Sequence, residues 1–169
     1  MEFVRATVGD APAAFRLVCD RVAWMDARGI SQWNTTGYTE SYPEAYFRAR
    51  AAAGELFGMA DGGRLVGVVV VLGSDPRWDG QPRRTALYVH NLATDWRVGG
   101  VGRALVEAAR RAAREAGYAF MQVKTVQMGK YAEYDATNRF YLAMGFKEFE
   151  VFLHLWDEWN PCQVYVMGL

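Results

Sequence analysis

The sequence predicts an α/β domain in which strands and helices share one core, and three observations carry that reading. Apolar, β-branched runs flank a hairpin signal at Asp61-Gly62-Gly63. The stretch from Val101 to Ala112 places Val101, Ala104, Leu105, Ala108, Ala109 and Ala112 on one helical face, with Arg103, Glu107, Arg110 and Arg111 elsewhere. Between a strand over 85–93 and that helix lies a glycine turn, Arg97-Val-Gly-Gly100-Val-Gly102. A strand, a glycine turn and a helix in succession form the unit around which the other elements are arranged.

The 169 residues suit one compact domain over 1–169, long enough to build a core. Half the residues are apolar (51%), which excludes a disordered chain. A formal net charge of zero argues against a nucleic-acid partner, since phosphate-backbone binding needs a basic surface. Cys19 and Cys162 make neither a disulfide framework nor a metal cluster, and no His/Cys/Asp/Glu group has metal-ligand spacing. Glu2 and Asp10 interrupt any apolar leader, and the longest apolar run, Leu65 to Leu72, falls far short of the ~20 residues of a spanning helix. The expectation is a cytoplasmic protein that does not engage a membrane, with the oligomeric state open between a monomer and a homodimer.

In chain order, a strand over 3–6 is followed by Thr7-Val-Gly-Asp10, a capping box, and by a helix carrying Ala14, Leu17, Val18, Val22 and Met25 inward until Gly29 stops it near Arg28. Residues 30–38 read as a loop. Ser41 is expected to cap a second helix whose buried side is Ala45, Tyr46, Ala49 and Ala52 or Ala53. Strands follow over 56–60 and 65–72, then a loop over 73–84 and the strand over 85–93. The alanine-rich helix ends at Gly117, with Glu107 and Arg111 spaced for an ion pair. A strand over 118–126, a loop, a helix over 135–144 stopped by Gly145, and strands over 146–155 and 163–167 complete the order β-α-α-β-β-β-α-β-α-β-β.

The glycine turn leaves backbone N–H groups unpaired at the positive end of a helix, a geometry that suits a phosphate or pyrophosphate. Arg97 and Arg103 bracket it and could add charge-assisted bonds. It is not a nucleotide-triphosphatase loop, because Gly102 is followed by Arg103-Ala104, nor a dinucleotide fingerprint, because Leu105 stands where the third glycine belongs. It fits Arg/Gln-x-x-Gly-x-Gly/Ala. Downstream, Asn138-Arg-Phe-Tyr141-Leu-Ala-Met-Gly145-Phe146 contains Tyr-x-x-x-Gly-Phe. Together the two motifs resemble the GCN5-related N-acetyltransferase (GNAT) superfamily, after Leu56 along nearly all of the chain and before it only in element order.

The resemblance implies a mixed, mostly antiparallel central sheet of about six to seven strands flanked by about four helices, with acetyl-CoA as co-substrate. It places Leu92, Ala93 and Thr94 beside pantetheine and thioester, and Arg97, Val98, Gly99, Gly100, Val101, Gly102 and Arg103 at the pyrophosphate. It also puts Asn138 and Tyr141 at the cofactor, with Tyr141 matching the general acid that protonates departing CoA. A phenol with an ordinary pKa near ~10 suits that task.

An amine with an ordinary pKa near ~10.4 must lose a proton before it attacks, so a base is needed. His90 is the candidate, because the segment His90-Asn-Leu-Ala is similar to a superfamily strand in which a histidine joins a proton relay. A core histidine satisfied by a hydrogen bond is the other reading. Tyr88, on the same strand face, is a further relay or substrate contact; His154 is a remote second histidine. The region before the first hairpin walls the acceptor pocket in the family, which nominates Trp24, Trp33, Tyr38 and Tyr42. Trp156, Asp157, Glu158 and Trp159 could grip a cationic acceptor. The expected activity is acetylation of a small-molecule primary amine by direct attack in a ternary complex. Acetylation of a protein N-terminus or lysine, or a catalytically silent acyl-CoA-binding module, are the alternatives.

Overall fold

The computed structural model describes residues 1–73 and 86–169. Seven strands form one open sheet of order β1-β2-β3-β4-β5-β7-β6. They are β1 (Glu2–Arg5), β2 (Leu56–Asp61), β3 (Arg64–Leu72), β4 (Ala86–Thr94), β5 (Phe120–Val126), β6 (Lys147–Phe152) and β7 (Cys162–Gly168). Five helices accompany them: α1 (Ala11–Asp26), α2 (Tyr38–Ser41), α3 (Glu44–Ala52), α4 (Val101–Glu115) and α5 (Ala132–Ala143). β4 pairs with β5 in parallel, whereas β1–β2, β2–β3, β5–β7 and β6–β7 are antiparallel. This is the mixed, mostly antiparallel architecture expected from the sequence, with α2 as an addition. The expected loop over 73–84 and the start of the next strand at Thr85 lie, but for Gly73, outside the described residues. No helix among the described residues is long and apolar enough to cross a membrane.

The chain divides into two compact units, the first comprising 1–71 and 91–109, the second 72–90 and 110–169. In the first, the Asp10 carboxylate accepts bonds from the Thr7 N–H and hydroxyl, both 2.7 Å, and a 3-10 turn over Val8–Asp10 leads into α1. Ala11, Ala14, Leu17, Val18 and Met25 are the buried face of α1. The helix closes where Ile30 N–H reaches the Met25 carbonyl (3.1 Å) and Gly29 N–H the Asp26 carbonyl (3.2 Å). Gly29 takes φ +66°, which glycine adopts without the Cβ clash of other residues.

The second helix departs from its expected form. Ser41 ends α2 instead of capping α3, for which Pro43 is the cap. Phe47 and Ala51 are buried, while Ala45, Ala49, Ala52 and Ala53 face solvent. Alanine is too small for its spacing to define a buried side, and the one phenylalanine buries more apolar area than any single alanine. Beyond α3, the two-residue loop Gly62-Gly63, both at positive φ, joins β2 to β3 as a type I′ hairpin with Asp61 facing Arg64. The first turn of α4 rests on β3: a Cβ added to Gly67 would lie 2.4 Å from Val101 Cγ1 and 2.9 Å from Leu105 Cδ1. Val106 joins Val101, Leu105, Ala108 and Ala109 in burial. Glu107 faces Arg103 at 3.8 Å and not Arg111, the i−4 partner replacing the i+4 one.

In the second unit, β5 supports β7 over its whole length, from Phe120↔Gly168 to Val126↔Cys162. β6 lies at the sheet edge, with a register shift between Glu148 and Glu150 that leaves Phe149 62% exposed. α5 begins at Ala132, three residues before the expected start. It ends as α1 does, with Phe146 N–H on the Tyr141 carbonyl (3.1 Å) and Gly145 N–H on the Leu142 carbonyl (3.0 Å).

Gly67 therefore fixes how closely the helix entered from the glycine turn can approach the sheet. Gly67→Ala is expected to cost about 1–3 kcal/mol of stability through overpacking. Urea unfolding measures it, and a midpoint equal to that of the parent would show that Val101 and Leu105 yield freely.

Candidate active site

The glycine turn is built from the end of β4 by a buried carboxylate. Asp95, 2% exposed, accepts from the Arg97 N–H (3.1 Å), from Arg97 Nε (2.7 Å) and Nη2 (3.1 Å), and from Arg64 Nη1 (2.9 Å). Its own N–H bonds the Val66 carbonyl at 2.8 Å, so the chain leaves β3 at a fixed point. Bonds from Arg97, and then from Arg64, hold the carboxyl well below the usual carboxylate range, and the same contact raises the Arg97 pKa. Arg97 was expected to offer its guanidinium to a phosphate. Its Nε and Nη2 bind Asp95 instead, although much of the side chain remains exposed.

Past Arg97 the backbone opens. Around Gly99 nothing approaches a would-be Cβ within 4 Å, and at Gly100, with φ +81°, only Met1 Cε comes as near as 3.9 Å. Ala104 N–H makes the first helical bond, to the Gly100 carbonyl at 3.1 Å. The N–H groups of Val101, Gly102 and Arg103 thus precede the first intrahelical acceptors, at the positive end of a fifteen-residue helix. This exposed mouth can hold an anion without moving a side chain.

Upstream, Ala93 is buried while Leu92 and Thr94 are half-buried. Asn91 interrupts β4 with φ +48°, the one non-glycine at positive φ among the described residues. The two-residue alternation of a strand is therefore broken between His90 and Leu92. The Asn91 side chain donates to the Tyr38 hydroxyl (2.5 Å) and accepts from the Tyr46 hydroxyl (3.0 Å). Trp33 stacks on Tyr38 at 4.2 Å, Tyr38 meets Tyr42 at 4.6 Å, and Tyr42 meets Tyr46 at 4.9 Å. Trp33, Tyr38 and Tyr42 are thus brought together, joined by Tyr46 and Asn91, which sequence reasoning did not nominate. The repeat Tyr38-x-x-x-Tyr42-x-x-x-Tyr46 was the available signal. Trp24 stands apart from them: Arg21 and Arg28 lie 4.7 and 4.2 Å from its ring, and Trp96 6.5 Å away. Two guanidinium groups lie on that indole, which was expected to wall the acceptor pocket.

In the second unit, Tyr141 is 5% exposed and packed against Phe140 (5.2 Å), Phe146 (5.6 Å) and Tyr165 (6.1 Å). Burial raises its pKa above the ordinary phenol value, so the hydroxyl keeps its proton at neutral pH. Asn138 is fully enclosed and fully used. Its amide donates to the carbonyls of Val126 (2.9 Å) and Tyr134 (2.6 Å), and its oxygen accepts from the Tyr165 hydroxyl (2.6 Å). It ties α5 to β5 and β7 in place of the expected cofactor contact, because neither amide hydrogen is left over.

Tyr88 is buried at 3% exposure and its ring lies 6.3 Å from that of His90, so the two relay candidates are neighbours. His154 lies exposed beyond the end of β6. Asp157 accepts from the N–H groups of Trp159 and Asn160, both 2.7 Å, and from Asn160 Nδ2 at 2.9 Å. Burial opposes its charge, but these bonds, led by the Asn160 side chain, lower its pKa. A carboxylate so occupied builds its own turn and departs from the expected amine grip. Trp156 is half-buried beside it, while Glu158 and Trp159 point to solvent.

The model of the acetyltransferase (GNAT) domain matches residues 52–148, more than half of the chain, including both the glycine turn and Tyr141. The chain belongs to the GNAT acetyltransferase family. As a member it is an acyltransferase that draws on acetyl-CoA as co-substrate. No curated protein matches it significantly. Among solved structures it resembles a ribosomal-protein-alanine N-acetyltransferase from Brucella melitensis, at 19% identity, full coverage of both chains and a TM-score of 0.76. It also resembles a GNAT-family acetyltransferase from Listeria monocytogenes, at 17% identity, 99% and 94% coverage and a TM-score of 0.75. A third likeness is to yncA from Salmonella typhimurium, solved with its cofactor acetyl-CoA, at 17% identity, 99% and 93% coverage and a TM-score of 0.72.

The Asp95 clasp carries a test. The folded carboxyl titrates below the ordinary ~3.9 of an unfolded aspartate, so its stabilising effect is complete above that value and fades as pH falls below it. Asp95→Asn is expected to lower the urea midpoint at pH 7, with the gap to the parent closing below about pH 4. A gap that persists unchanged at pH 3 would mean that charge is not what the clasp supplies.

Proposed function

We propose that this chain transfers the acetyl group of acetyl-CoA to the primary amine of a small molecule by direct attack in a ternary complex, with residues 1–169 acting as one catalytic domain. The observation that carries the reading is the open backbone at Gly99 and Gly100, leading into the unpaired N–H groups at the start of α4. A pyrophosphate held there would fix the cofactor's charged end, while Leu92 to Thr94 offer strand backbone to pantetheine. Arg97 acts through the turn it shares with Asp95, and Arg103 remains available to the phosphates at one face of the first helical turn.

The chemistry asks for three further things. The thioester carbonyl must be polarised as the amine nitrogen adds to it, a task for a backbone N–H of β4. The ammonium must first give up a proton, for which His90, next to Tyr88, is the proposed receiver. The carbon–sulfur bond then breaks and the departing thiolate takes a proton. Tyr141, in the Tyr-x-x-x-Gly-Phe motif, is the proposed donor, and its phenol holds its proton near neutrality.

Two variants test these roles. Tyr141→Phe is expected to lower kcat by about 10²-fold with little change in acetyl-CoA affinity; an unchanged kcat would remove the acid role. Gly100→Ala adds a Cβ at a left-handed position and is expected to weaken acetyl-CoA binding by on the order of tenfold, with about 1 kcal/mol lost in stability. Calorimetric titration showing parental affinity would place the pyrophosphate elsewhere. Binding of acetyl-CoA without thiol release for any amine would show a silent binding module instead of an enzyme.

A further inference from the structure

We infer that Arg64, the first residue of β3, is a further cofactor-binding residue: Asp95 holds it beside the glycine turn, and its outer edge is offered to a phosphate of CoA. The inference rests on the reading above that seats the cofactor's charged end at Gly99 and Gly100. It adds to that seat a side chain that neither sequence motif contains.

Asp95 holds more cations than its charge can balance. Its Oδ1 accepts from the Arg97 N–H (3.1 Å) and Nε (2.7 Å), and its Oδ2 accepts from Arg97 Nη2 (3.1 Å). Arg97 alone thus places donors on both carboxylate oxygens. Arg64 adds Nη1 to Oδ2 at 2.9 Å. Two guanidinium groups on one carboxylate leave one positive charge over, beside the positive end of α4. A second path places Arg64 at the same spot. Arg64 faces Asp61 across the hairpin, and the Met1 nitrogen lies 3.7 Å from Asp61. Met1 Cε is in turn the atom 3.9 Å from a would-be Cβ at Gly100. Through Asp95 on one side and through Asp61 and Met1 on the other, the end of the hairpin adjoins the glycine mouth.

The chemistry still open on Arg64 selects its ligand. Nε and Nη2 lie along one edge of a guanidinium, and that edge grips two oxygens of a phosphate at once. Arg97 has spent this edge on Asp95. Arg64 keeps it: the side chain is 60% exposed, and Nε and Nη2 have no partner among the described residues. The bond from Nη1 to a buried carboxylate orients the group in advance, so less rotamer freedom is lost when an anion binds. Arg103, 3.8 Å from Glu107, faces the same mouth from the first turn of α4. CoA brings phosphate to such a place in two forms, its pyrophosphate and its ribose 3′-phosphate, and either meets the same edge.

Calorimetric titration of the full chain tests this with CoA and with dephospho-CoA, which lacks only the 3′-phosphate. Arg64→Gln is expected to weaken CoA binding about tenfold, and Arg64→Lys, which keeps the charge but not the fork, to fall between it and the parent. An equal loss for both ligands assigns the contact to the pyrophosphate; a loss confined to CoA assigns it to the 3′-phosphate. The contact is exposed, so the loss should shrink as salt rises from about 0.05 to about 0.5 M. A distorted turn would leave it unchanged. Urea unfolding confirms that each variant is folded. Parental affinity of Arg64→Gln for both ligands, a loss that salt does not reduce, or a loss that lysine does not recover in part overturns the role of Arg64. If Gly100→Ala still weakens CoA binding in that case, the seat of the pyrophosphate stands. Parental CoA affinity in both Arg64→Gln and Gly100→Ala overturns the seat, and the role of Arg64 with it.

Discussion

One buried carboxylate decides whether the glycine turn has a shape. Asp95 is taken out of water at the end of β4, and a charge in that position is tolerable only when donors surround it. Two arginines from different parts of the first unit supply them, one leading into β3 and one inside the turn. The bond from Asp95 N–H to Val66 carries the strand ladder one step past β4, and Gly67, the next residue of β3, lets α4 settle close. Strand end, turn and helix start are therefore fixed from three sides before any ligand arrives. Preorganisation of this kind spares a phosphate site the ordering cost that a floppy glycine loop would exact on binding.

Much of this was legible in the sequence. The element order, the Gly62-Gly63 hairpin, the glycine stops at Gly29, Gly117 and Gly145, and most of the inward faces of α1 and α4, though not Val22, Ala104 or Ala112, follow from local rules that need no tertiary information. The turn motif and the Tyr141 motif were readable because they are short and contiguous. What escaped was long-range or depended on size. Nothing local marks Asp95, because Arg64 arrives from thirty-one positions away. Alanines misled the reading of α3, because their spacing repeats at every helical period. Asn91 carried no sign of its left-handed backbone, which owes its persistence to two tyrosines more than forty residues distant.

Several polar residues marked for the site turned out to hold the framework. Asn138 satisfies a buried tyrosine and two carbonyls, and Asp157 stitches the turn between β6 and β7. For Asn138 this follows from one rule: a buried polar atom must find partners inside the protein, and the partners it finds take up what it could offer a ligand. Tyr141 differs because aromatic packing surrounds its ring.

The register shift in β6 has a consequence beyond catalysis. An uninterrupted edge strand offers a row of evenly spaced donors and acceptors onto which another chain can zip. At Phe149 that row loses its regular spacing, and Lys147, Glu148 and Glu150 put charge beside the gap. The molecule can thus display a large apolar ring at its sheet margin in a crowded solution without seeding a continuous strand-on-strand polymer.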